Sequence, residues 1–320
     1  MMKNILEVSN LKKVFKKANG ESHVAVNGIS FELKEGEIFS FLGPNGAGKS
    51  TTINMVTTQL SPTSGTIKVD GEDIKVDPIN ARTKIGIVAQ HNNLDRGLTA
   101  KENLIYHGRY FGLSKEESEK RAASLLKDFG LYEWQDDYVK SFSGGMAQRL
   151  KIARAIMHKP AILFLDEPTT GLDPGYRDIL WEHVLRLNKE NKTTVFLTTH
   201  YMEEPERFSD RVAIYNKGEI KAIGTIDELR KQIPSESLIY LKVDQVTDIF
   251  TKQLNKLNPI KEIKVVDDKN YVIYPTKSKE ALTEILHIFD NSITQLENIQ
   301  LSSTTLDDIF IHLTAKEGEK

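Results

Sequence analysis

The 320-residue chain contains no cysteine. That excludes disulfides, thiolate metal sites and cysteine nucleophiles, and it fits a reducing compartment. Long apolar runs are also missing. No stretch approaches the roughly 18–20 apolar residues of a membrane-spanning helix, and clusters such as Ala161–Leu165 are strand-sized. The N-terminal Met-Met-Lys-Asn-Ile-Leu-Glu has no apolar segment of signal-peptide length. An excess of one charge is missing too. Lys and Arg total 43 against 45 Asp and Glu, a net charge of −2. Nothing here points to nucleic acid or an anionic membrane as partner. These absences predict a soluble chain whose membrane role would come through a partner.

What the chain has is a phosphate-binding pattern. Gly43-Pro44-Asn45-Gly46-Ala47-Gly48-Lys49-Ser50 follows the apolar run Ile38–Leu42 and precedes a helical pattern from Ser50 to Leu60. Strand, glycine loop and helix together give the G-x-x-x-x-G-K-[ST] motif its meaning. Glycines let successive N–H groups converge on phosphate oxygens, and the helix N-terminus adds partial positive charge. Lys49 is expected at the β- and γ-phosphates and the Ser50 hydroxyl on Mg²⁺.

Residues 4–36 read as an antiparallel opening with a turn at Asn19-Gly20. Phe15 sits among lysines before that turn, either as a platform for a purine or as a half-buried strand residue. The strand Lys84–Gln90 ends in a glutamine that local sequence reads as a solvated loop residue. Thr99 with Glu102 and Ser114 with Glu117 form capping boxes. Ser143 is a helix cap before Gly144 and Gly145, which leave N–H groups uncovered; locally this is a second anion site or a plain cap. Ala161–Leu165 predicts a central parallel strand, ended by Asp166 and Glu167 where ligands bind open α/β sheets. Neighbouring carboxylates repel, and Mg²⁺ would relieve that. Asp166 fits the metal-side acid, and Glu167 can orient or deprotonate water. Gly171-Leu172-Asp173-Pro174 is a turn before a helix. The strand Thr193–Thr199 ends at His200, which can donate to a γ-phosphate oxygen. His23, His107 and His183 read as structural. Pro205 requires its helix to start late or kink. From residue 237 the order β-α-β-β-α-β plus a terminal helix, capped by Thr304 and Asp307, predicts a small split-βαβ domain without catalytic residue types.

Taken together, residues 4–232 closely resemble the nucleotide-binding subunit of an ABC transporter. Gly43–Ser50 is similar to the Walker A loop, Gln90 to the Q-loop and Ser143–Gln148 to the signature. Ile162–Glu167 is similar to Walker B with its catalytic glutamate, Gly171–Asp173 to the D-loop, and His200 to the switch histidine. Phe15 takes the place of the adenine-stacking aromatic. One departure stands out: the usual Leu-Ser-Gly-Gly-Gln is here Phe142-Ser143-Gly144-Gly145-Met146. A side-chain contact from the fifth position is thereby lost. That change, with Gly218–Thr225 and Thr305–Phe310, resembles the exporter branch of antibiotic resistance and of polysaccharide or lipid export.

The resemblance implies an α/β P-loop NTPase core with an antiparallel N-terminal sheet, a helical signature subdomain near 92–160, and a small α+β, ferredoxin-like domain. The expected division is 1–234 for the ATPase, 235–316 for the accessory domain and 317–320 for a tail. It implies an ATPase with ATP and Mg²⁺ as cofactors. Glu167, His200 and Gln90 would be catalytic, and Ser50, Gln90 and Asp166 would hold the metal. Phe15, Gly43, Pro44, Asn45, Gly46, Ala47, Gly48, Lys49, Ser50 and Thr51 would contact nucleotide, with Ser143, Gly144, Gly145 and Asp173. Each ATP would lie between Walker A of one subunit and Ser143 of another. The implied partners are a second ATP-binding subunit and a transmembrane permease at the cytoplasmic face, with no nucleic acid. The surface near Gln90–Thr99, with Leu94 and Leu98, would receive the permease. The alternative is a soluble ABC-type ATPase not linked to transport.

Overall fold

The computed structural model describes residues 3–16, 20–90, 93–233, 235, 237–290 and 294–315. The expectations at Asn19, at residues 91 and 92 of the Gln90–Thr99 surface, and for the 317–320 tail lie outside the described residues. The chain divides into two compact units, residues 1–223 and 224–320.

In the first unit, β1 (Asn4–Lys16) and β2 (Ser22–Lys34) pair antiparallel. β3 (Ile38–Leu42) is buried at all five positions and leads through the glycine loop into α1 (Lys49–Val56). That helix stops four residues before Leu60, because Thr58 turns to a positive φ of 62°. β4 (Ser64–Val69) pairs antiparallel with β1 and carries the short β5 (Glu72–Asp73). After α2 (Pro78–Thr83), β6 (Ile85–Val88) enters the second sheet.

A helical segment follows. α3 (Ala100–Tyr110) and α4 (Lys115–Asp128) start with the complete capping boxes Thr99/Glu102 and Ser114/Glu117. α5 (Gly144–Ala155) is capped by Ser143, whose hydroxyl accepts from the Met146 N–H. These helices bury Leu104, Leu125, Leu126, Leu150 and Ile152 in one apolar cluster. Burial of that kind stabilises by about 1.5–3 kcal/mol per side chain.

β7 (Ile162–Asp166), α6 (Pro174–Asn191), β8 (Thr194–Thr199), α7 (Glu203–Phe208), β9 (Arg211–Asn216) and β10 (Glu219–Gly224) complete the unit. The second sheet runs β10-β9-β3-β8-β7-β6. Its central pairs β9–β3, β3–β8, β8–β7 and β7–β6 are parallel. Phe31, Phe39, Phe41 and Phe196 pack ring on ring beneath it. α7 begins at Glu203, so Pro205 lies in its first turn, where it costs no internal hydrogen bond. The register sets Leu42 beside Thr199 and Asp166 beside Thr198. β3, β7 and β8 therefore end together, and their loops meet at one edge of the sheet.

The second unit begins at residue 224 and opens with α8 (Ile226–Arg230), eleven residues before the start expected at 235. α8 packs on the last helix of the unit, which explains the shift. β11 (Ser237–Val243), α9 (Asp248–Leu254), β12 (Ile260–Val265), β13 (Asn270–Pro275), α10 (Ser278–Phe289), β14 (Leu296–Ser303) and α11 (Leu306–Ala315) follow. Their sheet runs β12-β13-β11-β14, with antiparallel pairs throughout. The expected cap of α11 is corrected by one residue. Thr305 and Asp308 make the reciprocal bonds, while the Thr304 hydroxyl donates to the Ser235 carbonyl at 3.0 Å.

Candidate nucleotide site

The glycine loop exists because side chains cannot occupy it. A Cβ on Gly43 would sit 2.1 Å from the Tyr215 carbonyl oxygen, and one on Gly48 2.3 Å from that of Ala25. Gly46 and Gly48 adopt φ of 79° and 112°, which side-chain-bearing residues rarely accept. The resulting cavity measures about 460 Å³. Phe15, His23, Ala25, the loop from Pro44 to Thr51, Gln90 and Glu167 line it. Phe15 is half exposed at its mouth, paired across the strands with His23. His23 read as structural in the sequence. Only the β1–β2 register brings it beside Phe15.

Lys49 is buried on the cavity floor. Its ammonium donates to the Gly43 carbonyl at 2.6 Å and the Pro44 carbonyl at 3.1 Å. Burial holds its pKa below the usual lysine value, and the Glu167 carboxylate 3.5 Å away opposes that shift. The two neighbouring acids diverge. Asp166 Oδ1 accepts from the Thr198 hydroxyl at 2.5 Å and the Ser50 hydroxyl at 3.2 Å. Burial raises the Asp166 pKa above the usual carboxylate value, which a nearby cation would oppose. Glu167 turns the other way. Its Oε2 lies 3.4 Å from Gln90 Nε2, 3.4 Å from the Thr170 hydroxyl and 3.3 Å from His200 Nδ1. The histidine contact lacks hydrogen-bond geometry, so this buried ring nitrogen has no hydrogen-bond partner.

Phe15, the 43–51 loop, Gln90, Asp166, Glu167 and His200 thus converge. Ser143, Gly144, Gly145 and Asp173 do not line this cavity. Ser143 and Gly144 are exposed, and Gly145 lies under the Tyr176 ring, which would meet an added Cβ at 3.0 Å. Thr170 and Thr198 were not singled out by sequence, since a threonine in a strand or turn carries no signature. Leu94 needs a correction. It is buried in the helical cluster with Leu104 and Val88, so it offers no docking surface; Leu98 is part-exposed.

The sequence family described as ABC transporter matches residues 26–170, and an AAA domain family matches 139–203. The linearmycin resistance ATP-binding protein LnrL of Bacillus subtilis is 38% identical, over 98% of this chain and 99% of its own. The chain belongs to the ABC transporter ATP-binding subunits. The Nod factor export ATP-binding protein I of Rhizobium sp. (strain N33) is 36% identical over 100% of both chains. A solved dimeric ATP-binding cassette in a post-hydrolysis state, bound to ADP and Pi, superposes with a TM-score of 0.64 at 32% identity. It covers 69% of this chain and 98% of its own. The cassette is accordingly an ATPase coupled to transport, and its core is the mixed α/β fold of these ATPases. Among its described residues, no helix is long and apolar enough to cross a membrane.

Proposed function

We propose that this cassette powers export of a cargo of drug, lipid or polysaccharide type through a separate membrane-spanning partner. Relatives named for antibiotic resistance and for export support the cargo class. The cassette would sit at the cytoplasmic face of the membrane, held by that partner. Part-exposed Leu98, eight residues after the cavity-lining Gln90, is the proposed contact.

One observation carries the mechanism. Lys49, Gln90 and His200 surround the Glu167 carboxylate, while the Ser143 helix start lies outside the same cavity. We assign Lys49 and the 43–51 backbone to the phosphates, and Phe15 to the base. Glu167 takes a proton from the attacking water, with Gln90 and His200 oriented toward the γ-phosphate. His200 Nδ1 has an unused hydrogen-bonding position for that purpose. Ser143, Gly144, Gly145 and Asp173 complete the site from a second cassette, so ATP closes a dimer and hydrolysis releases it.

Mg²⁺ fits the oxygen donors offered here: the Ser50 hydroxyl against the Asp166 carboxylate, with the Gln90 amide at the rim. Among the described residues, no cluster of three or more His, Asp or Glu could hold a metal ion. Bound at Ser50 and Asp166, Mg²⁺ would neutralise phosphate charge during transfer.

The first unit, residues 1–223, acts as the ATPase, with the helical subdomain at about 92–160, and α8 opens the second unit. Residues 235–316 form a ferredoxin-like accessory domain, supported by the strand order β12-β13-β11-β14. Glu167→Gln tests the catalytic assignment. It should keep ATP binding, lower turnover by about 10²–10⁴ and trap a dimer in gel filtration. Turnover near the wild-type rate would sink it.

A further inference from the structure

Two consecutive carboxylates at the end of β7 point in opposite directions, and one hydroxyl touches both residues. Thr198 is fully buried and stands opposite Asp166 in the sheet register. Its hydroxyl donates to Asp166 Oδ1 at 2.5 Å and accepts from the Glu167 N–H at 3.2 Å. The same N–H reaches the Thr198 carbonyl at 3.0 Å. Glu167 takes a left-handed φ of 47°, a conformation its own side chain disfavours. The chain is therefore held there from outside, and Thr198 supplies both bonds.

We propose that Thr198 is a positioning residue whose hydroxyl sets the divergence of the two acids, turning Asp166 toward Ser50 and Glu167 toward Lys49, Gln90 and His200. This rests on the roles assigned to Asp166 and Glu167 above. Valine matches threonine in shape but loses both hydroxyl bonds, while serine keeps them.

The test uses the full chain with Thr198→Val, Thr198→Ser and Glu167→Gln. Thr198→Val should lower kcat about 10–100-fold and raise the Mg²⁺ concentration for half-maximal binding of a fluorescent ATP analogue about tenfold. Its affinity for the analogue without Mg²⁺ should change less than about twofold, and Thr198→Ser should restore both losses. If valine does not fold, Thr198→Ala removes the same hydroxyl. Wild-type kcat and Mg²⁺ dependence in the hydroxyl-free variant overturn the proposal. So does a serine variant as impaired as valine. If Glu167→Gln is inactive and Thr198→Val active, only the Thr198 role fails. If Glu167→Gln still turns over, the underlying reading fails.

A separate observation lies in the second unit. A cavity of about 370 Å³ opens beside α11, with Tyr240, Val272, Tyr274 and Ile311 in its wall. Its acid is already engaged: Asp308 accepts from Tyr240, from the Thr305 N–H and from the Thr305 hydroxyl. At the rim, the Lys264 ammonium lies 3.4 Å from His312 Nδ1 and 5.7 Å from the Tyr274 ring centre. Lys242 lines the same rim, bound to the exposed Glu297 at 2.7 Å.

The geometry points to a binding site for an anionic amphiphile, its apolar body against the valine and tyrosine wall and its charge at Lys264. The probes are 8-anilinonaphthalene-1-sulfonate and the uncharged N-phenyl-1-naphthylamine, titrated into the full chain. The sulfonate should bind at one equivalent. Lys264→Gln should weaken it about tenfold and leave the uncharged probe unchanged. Val272→Trp, which fills the cavity, should abolish both. Sulfonate binding untouched by either substitution overturns the site. A light-scattering mass that doubles with concentration and reverts in Val272→Trp makes the surface a contact between copies, and overturns it equally.

Discussion

The Lys49 ammonium and the Glu167 carboxylate face each other at 3.5 Å, with side chains 4% and 7% exposed. A buried cation without this carboxylate would carry an unpaired desolvation cost. A buried glutamate without the lysine would carry the same. The pair therefore keeps both ionised groups inside the cavity. On the proposed assignment, a γ-phosphate would offer Lys49 a more highly charged partner and would leave Glu167 for water.

The site should be composite. Lys49→Ala removes the phosphate contact and Ser143→Arg blocks the exposed helix start, so each variant alone should be inactive. Mixed in equal amounts, they form heterodimers with one intact site. ATPase activity should return to about a quarter of wild type if sites turn over independently and the cassette pairs with itself. A mixture as inactive as its parents contradicts that assembly.

Gly48→Ala should fail for a local reason. The new methyl meets the Ala25 carbonyl at 2.3 Å, and the residue must hold φ at 112°. A destabilisation of about 2–4 kcal/mol is expected, with loss of nucleotide binding. Urea unfolding and fluorescent-nucleotide titration measure both. Gly46→Ala meets no neighbouring atom and should cost less, through its φ of 79° alone.

His107 gives the fold an acid-sensitive point. Burial, then the charges of Arg154 and His158, push its pKa from 6.5 down to about 3. In the unfolded chain it takes a proton near 6.5, in the folded chain only near 3. Its contribution is fully present above pH 6.5 and is lost as pH falls toward 3. At pH 5 the loss is about 2 kcal/mol. His107→Phe should flatten that part of the stability–pH curve, measured by urea unfolding between pH 7.5 and 5. An unchanged slope refutes the assignment.

Leu94 and Leu98 should separate folding from docking. Leu94→Glu places a charge in the helical cluster and should cost about 3 kcal/mol or more in melting experiments. Leu98→Glu should leave stability within about 1 kcal/mol and nucleotide binding intact, yet weaken co-purification with the membrane partner.

The sequence alone determined the parts whose chemistry is local. The 43–50 loop, both helical capping boxes, the buried strand before Asp166 and the order of motifs were all readable, because each depends on residues within one turn or strand. The order of strands and helices from residue 237 was readable for the same reason. Tertiary structure decided what depends on register and enclosure. β3, β7 and β8 ending together is what joins Ser50 to Asp166, and Thr198 to both acids. The β1–β2 pairing brought His23 to Phe15, and helix packing buried Leu94. The cap of α11 shifted from Thr304 to Thr305 because the Thr304 hydroxyl was taken by Ser235. Most telling, only the three-dimensional arrangement leaves Ser143 outside the cavity that holds Lys49. Sequence spacing carries no information about which face of a helix start meets which sheet edge, since that is set by long-range packing.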